Sequence, residues 1–288
     1  MPEFGVGLHY GATDESMSLL DLATEAQARG FDSVFLPEHS HMPVARRTPY
    51  PGGGEVPRRY LRLFDPLTAL AMVAARTDLV VGTCVGLPGE HDPIAHAKAV
   101  ATLDVMSGGR TVLGVGFGWN DDEFENHGFD PRHKHAIVIE KVKIMRALWA
   151  DEPKAFTGEH LRLEASWAWP KPVQRPGPPI LLGGLATRTT FSRVVDWADG
   201  WIPMSMEPSA SLAADLQRLR EMWVTAGRSG SPHIMVMQAP RPADELVDLF
   251  AAYRSLGVRR VLLDLPTEGP DVLIPLLDTG AIAIAGLS

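Results

Sequence analysis

Three glycines at alternating positions mark the segment of this chain best suited to contact a flat ligand. Gly114, Gly116 and Gly118 follow a Ser-Gly-Gly-Arg turn and an apolar run that starts at Thr111. Because glycine has no Cβ, its backbone can approach a ring or an anion closely. The carboxyl ends of strands in α/β barrels also carry the catalytic loops. The spacing therefore predicts a cofactor site at residues 114–118.

A histidine follows the second predicted strand, where an acid–base group would meet a ligand. His39 can donate a hydrogen bond or a proton near neutral pH, and the alternative is a solvated loop residue. Glu38 beside it could orient the site or cap a helix. His39 and His41 have the spacing of a metal-ligand pair, but a metal site needs further ligands. Asp264, on the eighth predicted strand, is the lone candidate, so we predict no metal.

Three further features each have two interpretations. Cys84 lies at the end of the third predicted strand, directly after Thr83. It could be a nucleophile or an inert core residue. Gly183 and Gly184 could present N–H groups to a phosphate or form a tight turn. A group of arginines in one loop could hold an anionic ligand or simply be solvated. These are Arg46, Arg47, Arg58, Arg59 and Arg62.

The composition limits the class of protein. The chain has 288 residues, 45% of them hydrophobic, and a net charge of −8, which argues against a broad nucleic-acid surface. Cys84 is the only cysteine, so no intrachain disulfide can form. The first residues lack the pattern of a secretory signal, and no apolar run approaches the about 18 residues of a membrane span. We expect a soluble cytoplasmic enzyme that acts on a small molecule.

Short β-type runs alternate with amphipathic helical runs along the whole sequence. The first predicted strand covers residues 4–8, the third ends at Thr83, and a long helix covers about residues 131–149. Eight such strand–helix pairs predict an α/β fold of the (β/α)8 TIM-barrel type. A doubly wound sheet is the rival, but its glycine fingerprint would follow the first strand.

The pattern changes before the fifth predicted strand. Between about residues 150 and 178, Phe156, Leu161 and Leu163 alternate around Gly158, and prolines then cluster. This predicts a small hairpin insertion within a single domain over residues 1–288. Tryptophans at helical spacing are predicted to lie in the core. They are Trp149, Trp197 and Trp223.

Several segments, taken in their order, resemble the bacterial luciferase-like family of flavin and deazaflavin oxidoreductases. They are EHS after the second predicted strand, VGTCV at the third, TLDVMSGGRTVLGVGFGWNDDEF at the fourth, ILLGG at the fifth, ADGWIP at the sixth and GVRRVLLDLP at the eighth. The loop TPYPGGGEVPRRYLRLFDPLTALA resembles a mostly actinobacterial subgroup that uses coenzyme F420, a 5-deazaflavin. The resemblance covers nearly the whole chain.

The resemblance implies that the deazaflavin ring lies over the third and fourth strand ends. Family members often carry a non-proline cis peptide there, which here would join Cys84 to Val85. His39 would contact the reactive face or the substrate, and with Glu38 it makes up the predicted catalytic residues. Relatives are often homodimers, which we expect here. The implied cofactor-binding residues are Thr83, Cys84, Val85, Gly116, Phe117, Gly118, Trp119, Gly183 and Gly184.

The chain departs from its relatives at two places. Relatives that oxidise sugar phosphates have an acidic residue after the glycine run, where this chain has Trp119. This argues against sugar-phosphate oxidation and for an apolar substrate in a pocket also walled by Met204 and Met206. Some flavin-using relatives place an arginine near Phe117 for the phosphate, and its absence disfavours FMN.

The favoured hypothesis is hydride transfer between the C5 atom of coenzyme F420 and a small organic substrate, with the chemistry supplied by the cofactor. His39 would protonate the product or polarise the hydride acceptor, and the arginine loop would hold the cofactor's polyglutamate tail. Two alternatives stay open. One is an FMN-dependent monooxygenase, and the other is a cofactor-binding protein without turnover, since a fold does not fix a function.

Overall fold

Eight parallel strands close into a barrel in the computed structural model, which describes residues 4–204 and 207–287. Each strand pairs with its neighbours in chain order, and the first pairs with the last. This arrangement confirms the predicted (β/α)8 TIM barrel. The barrel strands are β1 (Gly5–Tyr10), β2 (Ser33–Leu36), β3 (Val80–Gly86), β4 (Thr111–Val115), β7 (Ile180–Gly184), β8 (Gly200–Pro203), β9 (His233–Gln238) and β10 (Arg260–Leu265).

Helices follow the strands and cover the outside of the barrel. Their starts carry local capping signals: the Asp65 carboxylate accepts the Thr68 N–H, and the Asp92 carboxylate accepts the N–H groups of Ile94 and Ala95. Within the described residues, every helix is too short or too polar to cross a lipid bilayer. The helices are α1 (Leu19–Ala28), α2 (Pro66–Arg76), α3 (Pro93–Met106), α4 (Asp121–Asn126), α5 (Lys134–Trp149), α6 (Arg188–Trp197), α7 (Ala210–Thr225), α8 (Ala243–Ser255) and α9 (Pro270–Ala285).

Apolar side chains fill two layers, one inside the barrel and one between the barrel and its helices. The outer layer includes Trp149, Trp197 and Trp223, as predicted. Inside, β3 and β4 approach so closely that a Cβ at Gly114 would lie 2.3 Å from the Thr83 carbonyl oxygen. Strand packing therefore requires glycine at this position. The inner layer consists of Phe35, Val80, Cys84, Val112, Leu181, Ile202, Met235 and Leu262.

The hairpin predicted before the fifth barrel strand is present. Strands β5 (Phe156–Thr157) and β6 (Arg162–Leu163) pair antiparallel, with Phe156 opposite Leu163. The turn between them is held by the Glu140 carboxylate of α5, which accepts the N–H groups of Glu159 and Leu161. The insertion is thus fastened to the helical layer through α5.

Three element boundaries differ from the predicted ones. Strand β1 continues to Tyr10, which places His9 within it. Strand β3 continues to Gly86, with a register shift after Thr83 and a cis peptide between Cys84 and Val85, as the family resemblance implied. The long helix starts as a 3-10 turn before α5, and the six residues of α4 were not predicted because they carry no helical periodicity.

Candidate active site

A cavity of about 330 Å³ opens at the carboxyl ends of the barrel strands. Two predicted site residues lie outside its lining. The Thr83 hydroxyl is buried and donates to the Gly114 carbonyl oxygen over 2.7 Å, and the Gly184 carbonyl oxygen accepts the Trp201 indole N–H. Both therefore join elements of the barrel. The lining consists of His9, Pro37, Glu38, His39, Tyr60, Cys84, Val85, Leu87, Gly116, Phe117, Gly118, Trp119, Gly183, Ile202, Pro203, Met204 and Met237.

The Val85 side chain forms one wall of this cavity, between two of the predicted glycines. A Cβ at Gly116 would lie 2.6 Å from Val85 Cγ2, and a Cβ at Gly183 would lie 2.9 Å from Val85 Cγ1. Gly118 has a φ of 74°, a backbone conformation that side chains disfavour. These glycines therefore make room for Val85 and turn the chain. The result is an apolar surface with bare backbone on either side, which fits one face of a planar ring.

Glu38 anchors the segment that follows this wall. Its buried carboxylate accepts the Leu87 N–H over 2.5 Å and lies 2.7 Å from His91 Nε2. Burial acts to raise the pKa of Glu38, but the hydrogen bond and charge of His91 outweigh it and hold the pKa below its ordinary value. The group is thus an ionised anchor. Cys84, whose thiol pKa is raised by burial to about 12, fits the inert alternative.

Both ring nitrogens of His39 have partners within the protein. Nδ1 lies 2.7 Å from Glu123 Oε2, and Nε2 accepts the indole N–H of Trp119 over 3.1 Å. A carboxylate accepts hydrogen bonds only, so the ring proton is assigned to Nδ1. The His39 and Glu123 side chains are 6% and 1% exposed, so water does not compete for either bond.

A second carboxylate lies beside this pair. Glu90 accepts the Ser40 N–H over 2.9 Å. Burial and the charge of Glu123 raise the pKa of Glu90 to about 9, so this group is protonated near neutral pH. Among the described residues, His39, Glu90 and Glu123 are the one set whose ligand atoms, all within 4.8 Å of one another, could hold a cation. His41 is absent from that set, and the expectation of no metal stays a prediction.

An aromatic group encloses the cavity above His39. Tyr60 stacks near His39 with ring centroids 5.1 Å apart, and Tyr50 contacts both Tyr60 and Trp119 at 5.6 and 5.7 Å. Met204 lines the cavity as predicted, whereas Met206 lies outside the described residues. These walls agree with the predicted preference for an apolar substrate.

The arginine loop is mostly neutralised by acidic partners. Arg47 pairs with Asp122 and Glu125, and the Asp122 carboxylate also accepts the N–H groups of Arg47 and Thr48. Arg58 and Arg62 pair with acidic residues near the end of β1, namely Glu15 and Asp14. In the described part of the chain, Arg46 and Arg59 have no such ion pair. Arg46 and Arg59 are therefore the two guanidinium groups of this loop left without an acidic partner there, and the role in holding an anionic tail stays a prediction.

An arginine does lie beside Phe117, which corrects the expectation drawn from the sequence. The Arg193 guanidinium of α6 lies 4.9 Å from the Phe117 ring centre. Phe117 also contacts His135, with ring centroids 4.4 Å apart. Because α6 follows far along the chain, the fold alone brings this cation to the glycine segment. Its absence from the neighbouring sequence therefore does not disfavour FMN.

Sequence reasoning missed a second histidine in the cavity. His9 of β1 pairs in register with Asp264 of β10, and His9 Nδ1 lies 2.6 Å from Asp264 Oδ1. In the described residues, His9 Nε2 is buried without a hydrogen-bond partner. The alternation of Gly5, Gly7 and His9 could have revealed this inward position. Asp264, considered above for a metal, is instead the partner of His9.

Comparison with known proteins gives consistent results. The model of the luciferase-like monooxygenase family matches residues 1–259. An uncharacterized protein of Mycobacterium tuberculosis is 38% identical over 272 residues, which cover 92% of this chain and 94% of that protein. A solved F420-dependent secondary alcohol dehydrogenase, in complex with an F420–acetone adduct, superposes with a TM-score of 0.78 over 99% of both chains at 18% identity.

Relatives with named activities fall into two cofactor classes. The F420-dependent glucose-6-phosphate dehydrogenase of Nakamurella multipartita is 35% identical over 73% of this chain and 59% of its own length. The FMNH2-dependent dimethylsulfone monooxygenase of Pseudomonas putida is 35% identical over 44% of this chain and 36% of its own length. The family match, the nearly full-length relative and the barrel agree. This chain belongs to the luciferase-like monooxygenase family.

Proposed function

We propose that this chain is a coenzyme F420-dependent oxidoreductase that transfers a hydride between the deazaflavin C5 and a small, apolar organic substrate. The observation that carries the proposal is the apolar surface of the Val85 side chain, which lies between Gly116 and Gly183. It offers a flat apolar surface at the strand ends, where ligands of such barrels bind. Bound there, the deazaflavin would supply the hydride chemistry, and the protein would supply orientation and electrostatics.

The predicted cofactor residues take specific roles in this proposal. Cys84 and Val85 back the ring, while Gly116, Phe117 and Gly118 follow its edge. Gly183 and the Arg193 cation lie where a phosphate-bearing chain would leave the strand ends. Thr83 and Gly184 support the site by fixing the strands. His39 contacts the reactive edge or the substrate, and Glu38 holds the backbone at Leu87.

The aromatic walls support an apolar substrate. Trp119 occupies the place of an acidic residue in sugar-phosphate-oxidising relatives, and its indole is committed to His39. Tyr50 and Tyr60 extend the same wall. Bound substrate would displace water from these faces, and burial of apolar surface would supply most of its affinity.

The second candidate is an FMN-dependent monooxygenase. Arg193 beside Phe117 favours it, because a guanidinium suits the terminal phosphate of FMN. The coverage of the relatives favours coenzyme F420, since the F420-dependent dehydrogenase aligns over 73% of this chain and the FMNH2-dependent enzyme over 44%.

We also keep the single domain over residues 1–288, the homodimer and the cytoplasmic location as proposals.

The test is a titration of the purified protein with coenzyme F420 and, separately, with FMN, followed by tryptophan fluorescence. We expect micromolar or tighter F420 binding and FMN binding weaker by about tenfold, a difference of about 1.4 kcal/mol. Trp119→Phe serves as the control that attributes the fluorescence change to the cavity. Tighter FMN binding, together with substrate-coupled oxygen consumption, would select the monooxygenase.

A substitution beside Val85 tests whether its side chain forms the surface that binds the cofactor ring. Gly116→Ala forces Val85 to move, because the added Cβ would lie 2.6 Å from it. We expect cofactor binding to weaken at least about tenfold while circular dichroism shows an intact fold. Unchanged affinity would remove Val85 from the ring-binding wall.

A further inference from the structure

His9 lines the cavity and pairs with Asp264, and the function proposed above assigns neither residue a role. Side chains alternate along β1 and β10, so that His9 and Asp264 lie above the inner layer formed by residues such as Leu262. The His9 side chain is 15% exposed and the Asp264 side chain 42% exposed. The pair therefore lies at the boundary between the barrel interior and the cavity.

The hydrogen bond between the two residues fixes the state of the imidazole. Nδ1 lies 2.6 Å from Asp264 Oδ1, and a carboxylate can only accept. The Nδ1 proton therefore points at Asp264, and the neutral ring keeps a lone pair at Nε2. Within the described residues this atom has no partner and is shielded from solvent. Buried polar atoms are rarely left unpaired, and exceptions occur at catalytic sites.

The other polar groups of the cavity are already committed, beginning with the Tyr60 hydroxyl, which is hydrogen-bonded to Tyr50. His39 uses Nδ1 for Glu123 and Nε2 for Trp119. The Glu38 carboxylate is held by Leu87 and His91. The Cys84 thiol stays protonated at neutral pH. Of the two histidines that line the cavity, His9 is the one with a ring nitrogen left for a ligand.

We propose that His9, oriented by Asp264, exchanges a proton with a substrate oxygen, and that the substrates are therefore alcohols and the corresponding carbonyl compounds. This proposal rests on the function proposed above. One unpartnered polar atom in a cavity whose other polar groups already have partners suits a compact apolar molecule with a single oxygen. The Asp264 carboxylate stabilises the cationic ring that holds the proton, as in other histidine–carboxylate pairs.

The atoms and electrons balance in both directions. In reduction, the carbonyl carbon gains a hydride from the reduced cofactor, and the carbonyl oxygen takes the Nε2 proton of the His9 cation. The cofactor is oxidised and His9 is left neutral. In oxidation, neutral His9 takes the hydroxyl proton at Nε2 while the carbon loses its hydride to the oxidised cofactor. His39 keeps its contacts with Glu123 and Trp119 throughout.

A cofactor-free experiment tests the contact directly. Protein labelled with ¹⁵N-histidine is titrated with cyclohexanol, and chlorocyclohexane serves as the control without a hydroxyl. His9→Asn and His39→Asn spectra assign the signals. We expect the His9 Nε2 resonance to move with cyclohexanol alone. A shift confined to His39, or no shift at His9, would overturn the proposal.

Turnover tests the chemistry, with cyclohexanol and oxidised coenzyme F420 or with cyclohexanone and reduced coenzyme F420. We expect His9→Asn to lower kcat by about 100-fold or more while the F420 Kd stays within about threefold. The exposed His133→Asn variant, which lies outside the cavity lining, is the matched control. We expect Asp264→Asn to lower kcat by about tenfold with KM unchanged and to move part of the His9 ring proton to Nε2 in the ¹⁵N spectrum.

The outcomes separate this proposal from the proposed function. If the protein binds coenzyme F420 but His9→Asn keeps the wild-type kcat, the role of His9 is wrong. If F420 binds and neither probe reacts, the substrate class is wrong. If F420 does not bind, the proposed function fails, and the cofactor-free spectra still decide whether His9 receives a hydroxyl group.

Discussion

The two histidines that line the cavity each pair with a carboxylate, and the pairs differ in what the second ring nitrogen of the histidine does. The His39–Glu123 pair is buried and closed, because Trp119 occupies Nε2 of His39. The His9–Asp264 pair is shallower and open, because Nε2 of His9 has no partner in the described residues. The comparison teaches that a histidine's place in a site does not decide its chemistry. The hydrogen bonds on both of its nitrogens do.

The largest expected effect on stability comes from removing the carboxylate of the closed pair, His39–Glu123. Glu123→Ala leaves the Nδ1–H of His39 buried without its acceptor. We expect the free energy of unfolding to fall by about 2–3 kcal/mol, since an unpaired buried donor costs that order of energy. Urea unfolding at pH 7 measures it. A loss as small as that of an exposed control, Glu164→Ala, would show that the pair is not rigid.

The pH dependence of stability distinguishes the two pairs, because the buried Glu90 carboxylate lies beside the closed pair, His39–Glu123. Its folded-state pKa of about 9 exceeds the ordinary 4.5, so the folded protein holds a proton that the unfolded chain releases. The stability contributed by this group is therefore full below pH 4.5 and is lost as pH rises toward 9. Glu90→Gln should remove that loss.

We expect Glu90→Gln to gain about 1–2 kcal/mol over wild type at pH 9, or about 2–6 °C in Tm, and to match wild type at pH 5. Thermal unfolding at the two pH values measures both numbers. Equal stability differences at pH 5 and pH 9 would contradict the raised pKa.

A milder change makes the closed pair resemble the open one. Trp119→Phe keeps an aromatic wall but removes the indole N–H that His39 Nε2 accepts. We expect a stability change of about 1 kcal/mol and an imidazole whose Nε2 signal now responds to cyclohexanol, as that of His9 does. An unresponsive His39 in this variant would mean that position, and not the free nitrogen, decides the contact.

The smallest expected effect comes from the open pair. The Asp264 side chain is 42% exposed, so water replaces its bond to His9 when Asp264→Asn is introduced. We expect the free energy of unfolding to change by less than about 1 kcal/mol, below the effect of Glu123→Ala. Denaturant titrations of both variants under one condition test the order. A reversed order would contradict the division into closed and open pairs.

The features that the sequence predicts correctly have local causes. Asp65 and Asp92 cap helices by binding residues two or three positions further along the chain, and most strands of the barrel are short, largely apolar runs. The hairpin at residues 156–163 follows from alternation around Gly158. These elements can be recognised because each depends on neighbours within a few positions.

The site was harder to predict because its partners lie far apart in the chain. His9 meets Asp264 only after β1 and β10 close the barrel, and Glu123 reaches His39 from a helix too short to show periodicity. Arg193 reaches Phe117 in the same way. The sequence predicts that Gly116 faces a ligand. The structure shows in addition that a side chain at this position would collide with Val85.

Two consecutive residues of the short helix α4 hold different parts of the candidate site. Asp122 holds the arginine loop, which also carries Tyr50 and Tyr60, by accepting the N–H groups of Arg47 and Thr48, and Glu123 orients His39. The first part of this loop is thus held by α4, whereas its last part is held beside the end of β1 by the ion pairs of Arg58 with Glu15 and Arg62 with Asp14. Tyr50 contacts Tyr60 and Trp119, which in turn contact His39, so a substitution at Tyr50 changes the cavity wall at one remove from the His39–Glu123 pair. Substitutions in the loop can therefore change the shape of this wall while β1 and β10 keep His9 and Asp264 in register.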